Sequence, residues 1–293
     1  HSFILCAIFY SMTPATTINQ ITTIMNANIN MNMQNLTWKG AFGIHQKETH
    51  HTLVWDRACC LWNTAALYSQ KIQSLNITEG ERDTIKTAIS YCQTSASLLQ
   101  LLQELVASQD FATVEMSKPM LTFWSNLFLA QAQTYIYQLA SNGDSTKHNL
   151  LSQLSASAYH LFNEALQWAQ DPRLQSEVPN DATEWGAYCK AHSMMSSTKA
   201  EYHQAILHRQ AQEWGKEISR LKVCLDKLDS CQGFVKTAEV DNDPALLDLK
   251  REVDAYLPFL RERYQTAYQD NLSVYQDEIP NAKELPEIQA KQL

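Results

Sequence analysis

The sequence predicts an all-α fold, an elongated curved domain built on a solenoid of helical hairpins, and three observations carry that prediction. The chain of 293 residues is 45% apolar, enough to fill a substantial core. It holds only seven glycines and eight prolines, too few for the many tight turns of an all-β fold. From Val54 onward, apolar residues recur every three or four positions, the period of a helix face.

Each element follows from that period and from its end signals. Val54, Ala58, Leu61, Trp62, Ala65, Tyr68 and Ile72 form one stripe and predict the first long helix. Thr78 followed by Glu81 matches a capping box, and Ile85, Ala88, Ile89, Cys92, Ala96 and Leu99 then supply the core face of the second. Pro119 suits a first helical turn and opens the third, through Trp124, Leu127, Ala130 and Tyr135 to a turn at residues 141–144. Leu150, Leu151, Leu154, Leu161, Phe162 and Ala165 mark the fourth. Asp181 with Glu184 is a box-like start for the next. Tyr202, Ile206 and Ala211 then face Trp214, Ile218, Leu221, Cys224, Leu225 and Leu228, a helix-turn-helix of tetratricopeptide type. Asp243-Pro244 caps and begins the last long helix, through Val253, Tyr256, Leu257, Leu260, Tyr264 and Tyr268. No low-complexity linker interrupts the series, so residues 1–293 read as one domain with a tetratricopeptide-like core over about 54–232.

Composition narrows the function. A net charge of -8 without a basic run argues against a nucleic-acid groove, which needs clustered cations to displace phosphate counterions. The seven cysteines are an odd number, and Cys59 and Cys60 are adjacent on a helix, so they read as buried thiols rather than a disulfide framework. The apolar run in HSFILCAIFYSM is too short to span a bilayer. The sequons at Asn35, Asn76 and Asn271 are chance matches if the chain is cytosolic, the default for its acidic, reduced character.

Signals of chemistry are weak. HExxH, paired CxxC, GxSxG and glycine-rich phosphate signatures do not occur. His203 and His208 are five residues apart and so point about 500° round a helix, unlike the ligands of a zinc protease. His45, His50 and His51 in IHQKETHH read as a solvated loop. Asp and Glu are read as solvent-facing, and no metal, cofactor or small-molecule substrate site is announced. A helical enzyme would need a cleft of convergent acids or bases.

Five strings in series change the reading. NLTWKGAF (35–42), DRACCLWNTAALYSQ (56–70), LAQAQ (129–133), AEYHQAILHRQ with WGKEISRLK (200–222) and DNLSVYQDEIPNAKELPEI (270–288) together resemble the BRO-one domain of the Alix family of endosomal-sorting adaptors, in order and spacing from about Tyr10 to Ile288. The resemblance implies a non-enzymatic module in the cytoplasm, recruited indirectly to endosomal membranes. It would bind the C-terminal amphipathic helix of Snf-seven-type subunits of ESCRT-III in multivesicular body formation and membrane scission. Helix-in-groove recognition of that kind uses apolar anchors one helical turn apart. Carried over by position, the anchors are Ile136, Leu150 and Leu154, with Lys86 at the polar border. Read without the resemblance, the three apolar residues are ordinary core.

The departures are specific. Ile136 stands where an aromatic is usual, Arg82 and Ser90 replace charged neighbours of Lys86, and Asn271-Leu272 replaces Asn-Asp. Tyr275 corresponds to a phosphorylation site in some relatives, although packing of the tail onto the domain is its favoured role. The family's short N-terminal strands and first helix are expected ahead of His1, and the arms of full Alix proteins beyond Leu293. The same fold also serves Rho-GTPase scaffolds and pH-signalling adaptors, and fold alone does not separate these settings.

Overall fold

The computed structural model describes residues 36–39, 42, 47–50, 52–75, 77, 81–109, 111–237 and 246–291. Its helices are α1 (Leu53–Ser74), α2 (Arg82–Val106), α3 (Lys118–Gly143), α4 (His148–Ala169), the short α5 (Pro172–Glu177), α6 (Pro179–Gln210), α7 (Trp214–Val235) and α8 (Leu247–Asp270). The long helices pack in chain order, α1 on α2, α2 on α3, α3 on α4, α4 on α6, α6 on α7 and α7 on α8. That is the hairpin stack the period predicts.

Small residues line the seams and fix their register. Ser95 Oγ donates to the Ala65 carbonyl, Ser125 Oγ to Ala96 and Ser152 Oγ to Ala200, the last at 2.9 Å. Cys224 Sγ reaches the Thr198 carbonyl and Cys231 Sγ that of Ala191, so α6 and α7 run antiparallel. Side chains this short let backbones approach closely enough for a side chain of one helix to meet a main-chain carbonyl of the next. The six cysteines among the described residues form no disulfide with one another, and five of them are buried.

One departure from the all-helical expectation is a hairpin, β1 (Leu36–Lys39) antiparallel to β2 (Lys47–His50), with Leu36 opposite His50. The solvated loop expected around the histidines is therefore strand at His50; His45 and His51 lie outside the described residues. Just after β1, Phe42 meets Trp62 and Trp185 edge to face at 6.4 and 5.4 Å, and its backbone N–H donates to buried Glu115. Trp185 in turn stacks on Phe123 and contacts Trp124, building an aromatic core between α1, α3 and α6. The NLTWKGAF string thus ends in a plug for that core.

Several helix starts differ from expectation. Glu81 is the N-cap of α2 rather than an interior capping-box residue, and Thr78 lies outside the described residues. α6 begins at Pro179, so Asp181 sits in its first turn, where a carboxylate favours the helix dipole without capping it. The separate helix α5, capped by Asp171, was not read from the sequence. Asp243 and Pro244 lie outside the described residues, and α8 begins after Leu246. Ser117 caps α3 through the Met120 N–H, with Pro119 in the first turn as expected.

The acidic side chains are not all solvent-facing. Glu201 on α6 accepts from Arg220 on α7 at 2.7 Å and from Lys227 at 3.0 Å, and Glu217 pairs with Arg263 of α8. Glu201, Glu217 and Arg220 are all buried. Burial raises the Glu217 carboxyl, an effect that Arg263 and Arg209 oppose. A buried charge persists only when it is paired in this way.

Candidate functional site

Three of the residues carried over from the resemblance, Lys86, Ile136 and Leu150, fall near one level of the stack by helix register, and Leu154 lies one turn along α4 from Leu150. The seam that joins Ala96 to Ser125 runs antiparallel, which sets Lys86 on α2 beside the stretch of α3 holding Ile136. Across the next seam, Gln133 of α3 and Gln153 of α4 bond the same tail residue, Lys291. The antiparallel register then brings Ile136 opposite Leu150.

Their exposures differ. Ile136 and Leu150 are half-buried, each offering part of an apolar side chain at the surface. Lys86 is exposed and forms a surface pair with Asp83 at 2.9 Å, the bond that holds the Asp83 carboxyl below its ordinary range. Leu154 is 0% exposed. The expected exposed strip over three residues is therefore corrected: Leu154, like Leu151, is buried, because Leu150 stands in the first turn of α4 whereas Leu154, on the same face, lies one turn deeper in the stack.

A polar cluster that the sequence did not announce adjoins this level. His203 of α6 faces His148 at the start of α4, Nδ1 to Nδ1 at 3.0 Å, and its Nε2 lies 3.0 Å from the Tyr137 hydroxyl. Two imidazole nitrogens at that distance share one proton, so one ring donates and the other accepts. Burial, then the neighbouring His148 and Lys199, push His203 down to about 4. Burial also lowers His148. His208 takes a different partner, Glu213 Oε2 at 2.6 Å. Among the described residues no group of three or more His, Cys, Asp or Glu is placed to hold a metal ion, and no helix is long and apolar enough to cross a membrane.

The Trp-Gly pair that opens α7 serves the tail. Trp214 stacks face to face on Tyr275, centroids 4.0 Å apart and planes 11° from parallel. The Gly215 N–H donates to Asp277 Oδ2, and a Cβ at Gly215 would overlap the Glu278 carbonyl, so only glycine admits the tail there. Asn271, one of the sequons, is buried and brackets Asp277 from both sides, accepting from its N–H and donating to its carbonyl. Tyr275 remains 43% exposed.

A family model described as the BRO1-like domain matches residues 18–293. The chain belongs to the BRO1-like domain family. Among curated relatives of this BRO1-like chain, the ALG-2 interacting protein X of Dictyostelium discoideum is 26% identical over 251 residues, covering 85% of this chain and 30% of that protein. The vacuolar protein-sorting protein BRO1 of Gibberella zeae is 23% identical over 254 residues, covering 83% of this chain and 24% of that protein. The chain thus spans less than a third of either relative. A solved structure described as an ALIX BRO1 CHMP4C complex superposes with a TM-score of 0.75 at 24% identity, covering 99% of this chain and 75% of that one. The likeness establishes the fold of this BRO1-like chain as that of the ALIX domain.

Proposed function

We propose that this BRO1-like chain is a non-enzymatic adaptor module that binds the C-terminal amphipathic helix of a Snf-seven-type ESCRT-III subunit along the α3–α4 seam. The observation that carries the reading is the placement of Ile136 and Leu150, two half-buried apolar residues at matching register on adjacent helices, with the exposed cation Lys86 on α2 at the same level. An amphipathic helix laid over them would bury its own apolar stripe on both and bring acidic flanks to Lys86. The existence of a solved complex in the same fold supports the choice of partner class. Membership of a family that includes a vacuolar protein-sorting relative supports a setting in endosomal sorting, with the module cytoplasmic and reaching the membrane through its partner.

The energetics favour two anchors rather than three. Burying each contributes on the order of 1.5–3 kcal/mol, and association costs remove part of that sum, leaving affinity in the micromolar range. In a fluorescence-anisotropy titration with the partner's C-terminal helix as a labelled peptide, Leu150→Asp and Ile136→Asp each lose more than tenfold in affinity while the helical circular-dichroism spectrum is unchanged. Unaltered affinity in both folded variants would remove the seam from the function. Leu154→Asp is unsuitable for this test, since it places a carboxylate in the core and unfolds the stack.

Phosphorylation of Tyr275 belongs to the same proposal. The residue is 43% exposed while its ring is stacked on Trp214, so an added phosphate would work against the contact that seats the tail.

A further inference from the structure

The segment after α8 crosses two helical hairpins and is pinned at each crossing. Asn271 and Gly215 hold Asp277 at the start of α7. One turn farther along α7, buried Arg220 donates to the Pro286 carbonyl while its other arm is fixed by Glu201. Between these points a short 3₁₀ turn, Ala282–Glu284, is closed by a capping box in which Asn281 and Glu284 satisfy each other's backbone. The segment ends, among the described residues, at Lys291, whose N–H donates to the Gln153 carbonyl at 3.2 Å and whose carbonyl accepts from Gln133 Nε2 at 2.9 Å.

Those last two partners lie in the seam proposed to bind a helix. Gln133 is three residues before Ile136 on α3, and Gln153 three residues after Leu150 on α4, so each lies on the face of its anchor, one turn away. Gln133 is only 3% exposed, and the acceptor of its amide is the strap itself. Nothing apolar of the strap's end is deeply buried: Leu285 and Ile288 are half-buried and Pro286 exposed. The strap is therefore fixed by directional polar bonds at a few points, with a small apolar contribution. Such an attachment holds the segment in place and can open without disturbing the core.

We infer that the C-terminal strap, Asp277–Lys291, is an autoinhibitory latch that occupies one end of the α3–α4 seam and leaves it when a partner helix runs past Ile136 and Leu150 toward Gln133 and Gln153. The inference rests on the seam being the partner site. A helix entering that end replaces the Lys291 carbonyl as acceptor for Gln133, so the buried amide is not left unpaired in either state. The latch sets how far the helix extends and lowers its affinity by the fraction of time the strap is seated.

Two variants open the latch at separate points and leave the anchors untouched. Lys291→Pro deletes the N–H that reaches Gln153, and Gly215→Ala drives a methyl group into the Glu278 carbonyl. Calorimetric titration of the full chain with the amphipathic helix peptide is expected to give three- to tenfold tighter binding for both than for the unaltered protein. Equal or weaker binding by both folded variants, with the unaltered protein binding the peptide, overturns the latch and leaves the seam reading standing. Binding by Lys291→Pro alone, with none by the unaltered protein, supports a latch that is closed by default. Absence of binding by all three, each folded, overturns the seam reading and the latch with it.

Discussion

The two ends of the stack are built differently. Around α1 and α3 the core is aromatic and apolar: Trp55, Trp62, Phe123, Trp124 and Phe128 are all essentially inaccessible, and Trp185 of α6 reaches in to join them. Around α6, α7 and α8 the interior carries ion pairs, Glu201 with Arg220 and Lys227, and Glu217 with Arg263. Apolar packing is strong and indifferent to direction, so it serves a region that only has to be solid. Buried ion pairs add little net stability but fix orientation. They stand where a helix must present an arm, Arg220, to an irregular chain at Pro286.

The largest expected effects break this comparison in half. Trp124→Ala empties part of the aromatic core and costs about 3–5 kcal/mol by urea denaturation, yet the amide protection of residues 277–291 in the folded fraction stays as it was. Glu201→Ala strands Arg220 and Lys227 and also costs about 3–5 kcal/mol, and here the strap loses protection because Arg220 is no longer held toward Pro286. Strap protection lost in both variants would mean that the two regions are one cooperative unit.

A pH effect follows from His203. Its folded value is about 4 and its unfolded value that of an ordinary histidine, 6.5, so the unfolded chain binds the extra proton first as pH falls. The stabilisation is complete above pH 6.5 and is lost as pH drops toward 4. Between pH 7 and pH 5 this one residue removes about 2 kcal/mol, from 1.5 pH units at about 1.4 kcal/mol each. The urea midpoint should fall less steeply over that range in His203→Gln, which keeps a polar group facing Tyr137 and His148 but cannot take up the proton. An identical pH slope in the variant would remove His203 as the source.

Smaller effects sharpen the description of the α6–α7 corner. Tyr275→Ala removes a stacked ring worth about 0.5–1.5 kcal/mol beyond its buried area, a loss that should register as faster amide exchange over 271–279 with little change in global stability. Gln212 closes the turn after α6 with φ 59°, a left-handed conformation that suits glycine. Gln212→Gly should raise the melting temperature slightly, by up to about 1 kcal/mol in stability.

Much of this architecture was legible in the sequence because helix periodicity reports burial directly. The stripe through Trp62, Ala65 and Ile72 is the buried face of α1, and the Ser117-Lys118-Pro119 start of α3 lies where a first-turn proline places it. Capping signals were less informative, since Asp181 and Glu81 are acidic for reasons of helix ends that do not identify which residue is the cap. The hairpin at 36–50 was missed because eight residues of strand carry too little alternation to stand out from a helical chain. Of the candidate site, Ile136 and Leu150 are half-buried and Lys86 is exposed, whereas Leu154 is fully buried; an apolar residue suits core and groove alike, and only the fold tells their exposures apart. The role of Trp214 and Gly215 was beyond local reading, because their partners, Tyr275 and Glu278, are about sixty residues away.

The central claim, that the α3–α4 seam receives an amphipathic helix, is tested most directly by hydrogen-exchange mass spectrometry of the full chain with and without the partner helix peptide. The expected footprint is added protection over the segments of α3 and α4 around Ile136 and Leu150, with the α2 segment at Lys86 at its margin. Saturable binding whose protection falls elsewhere, with these segments unchanged, would contradict it.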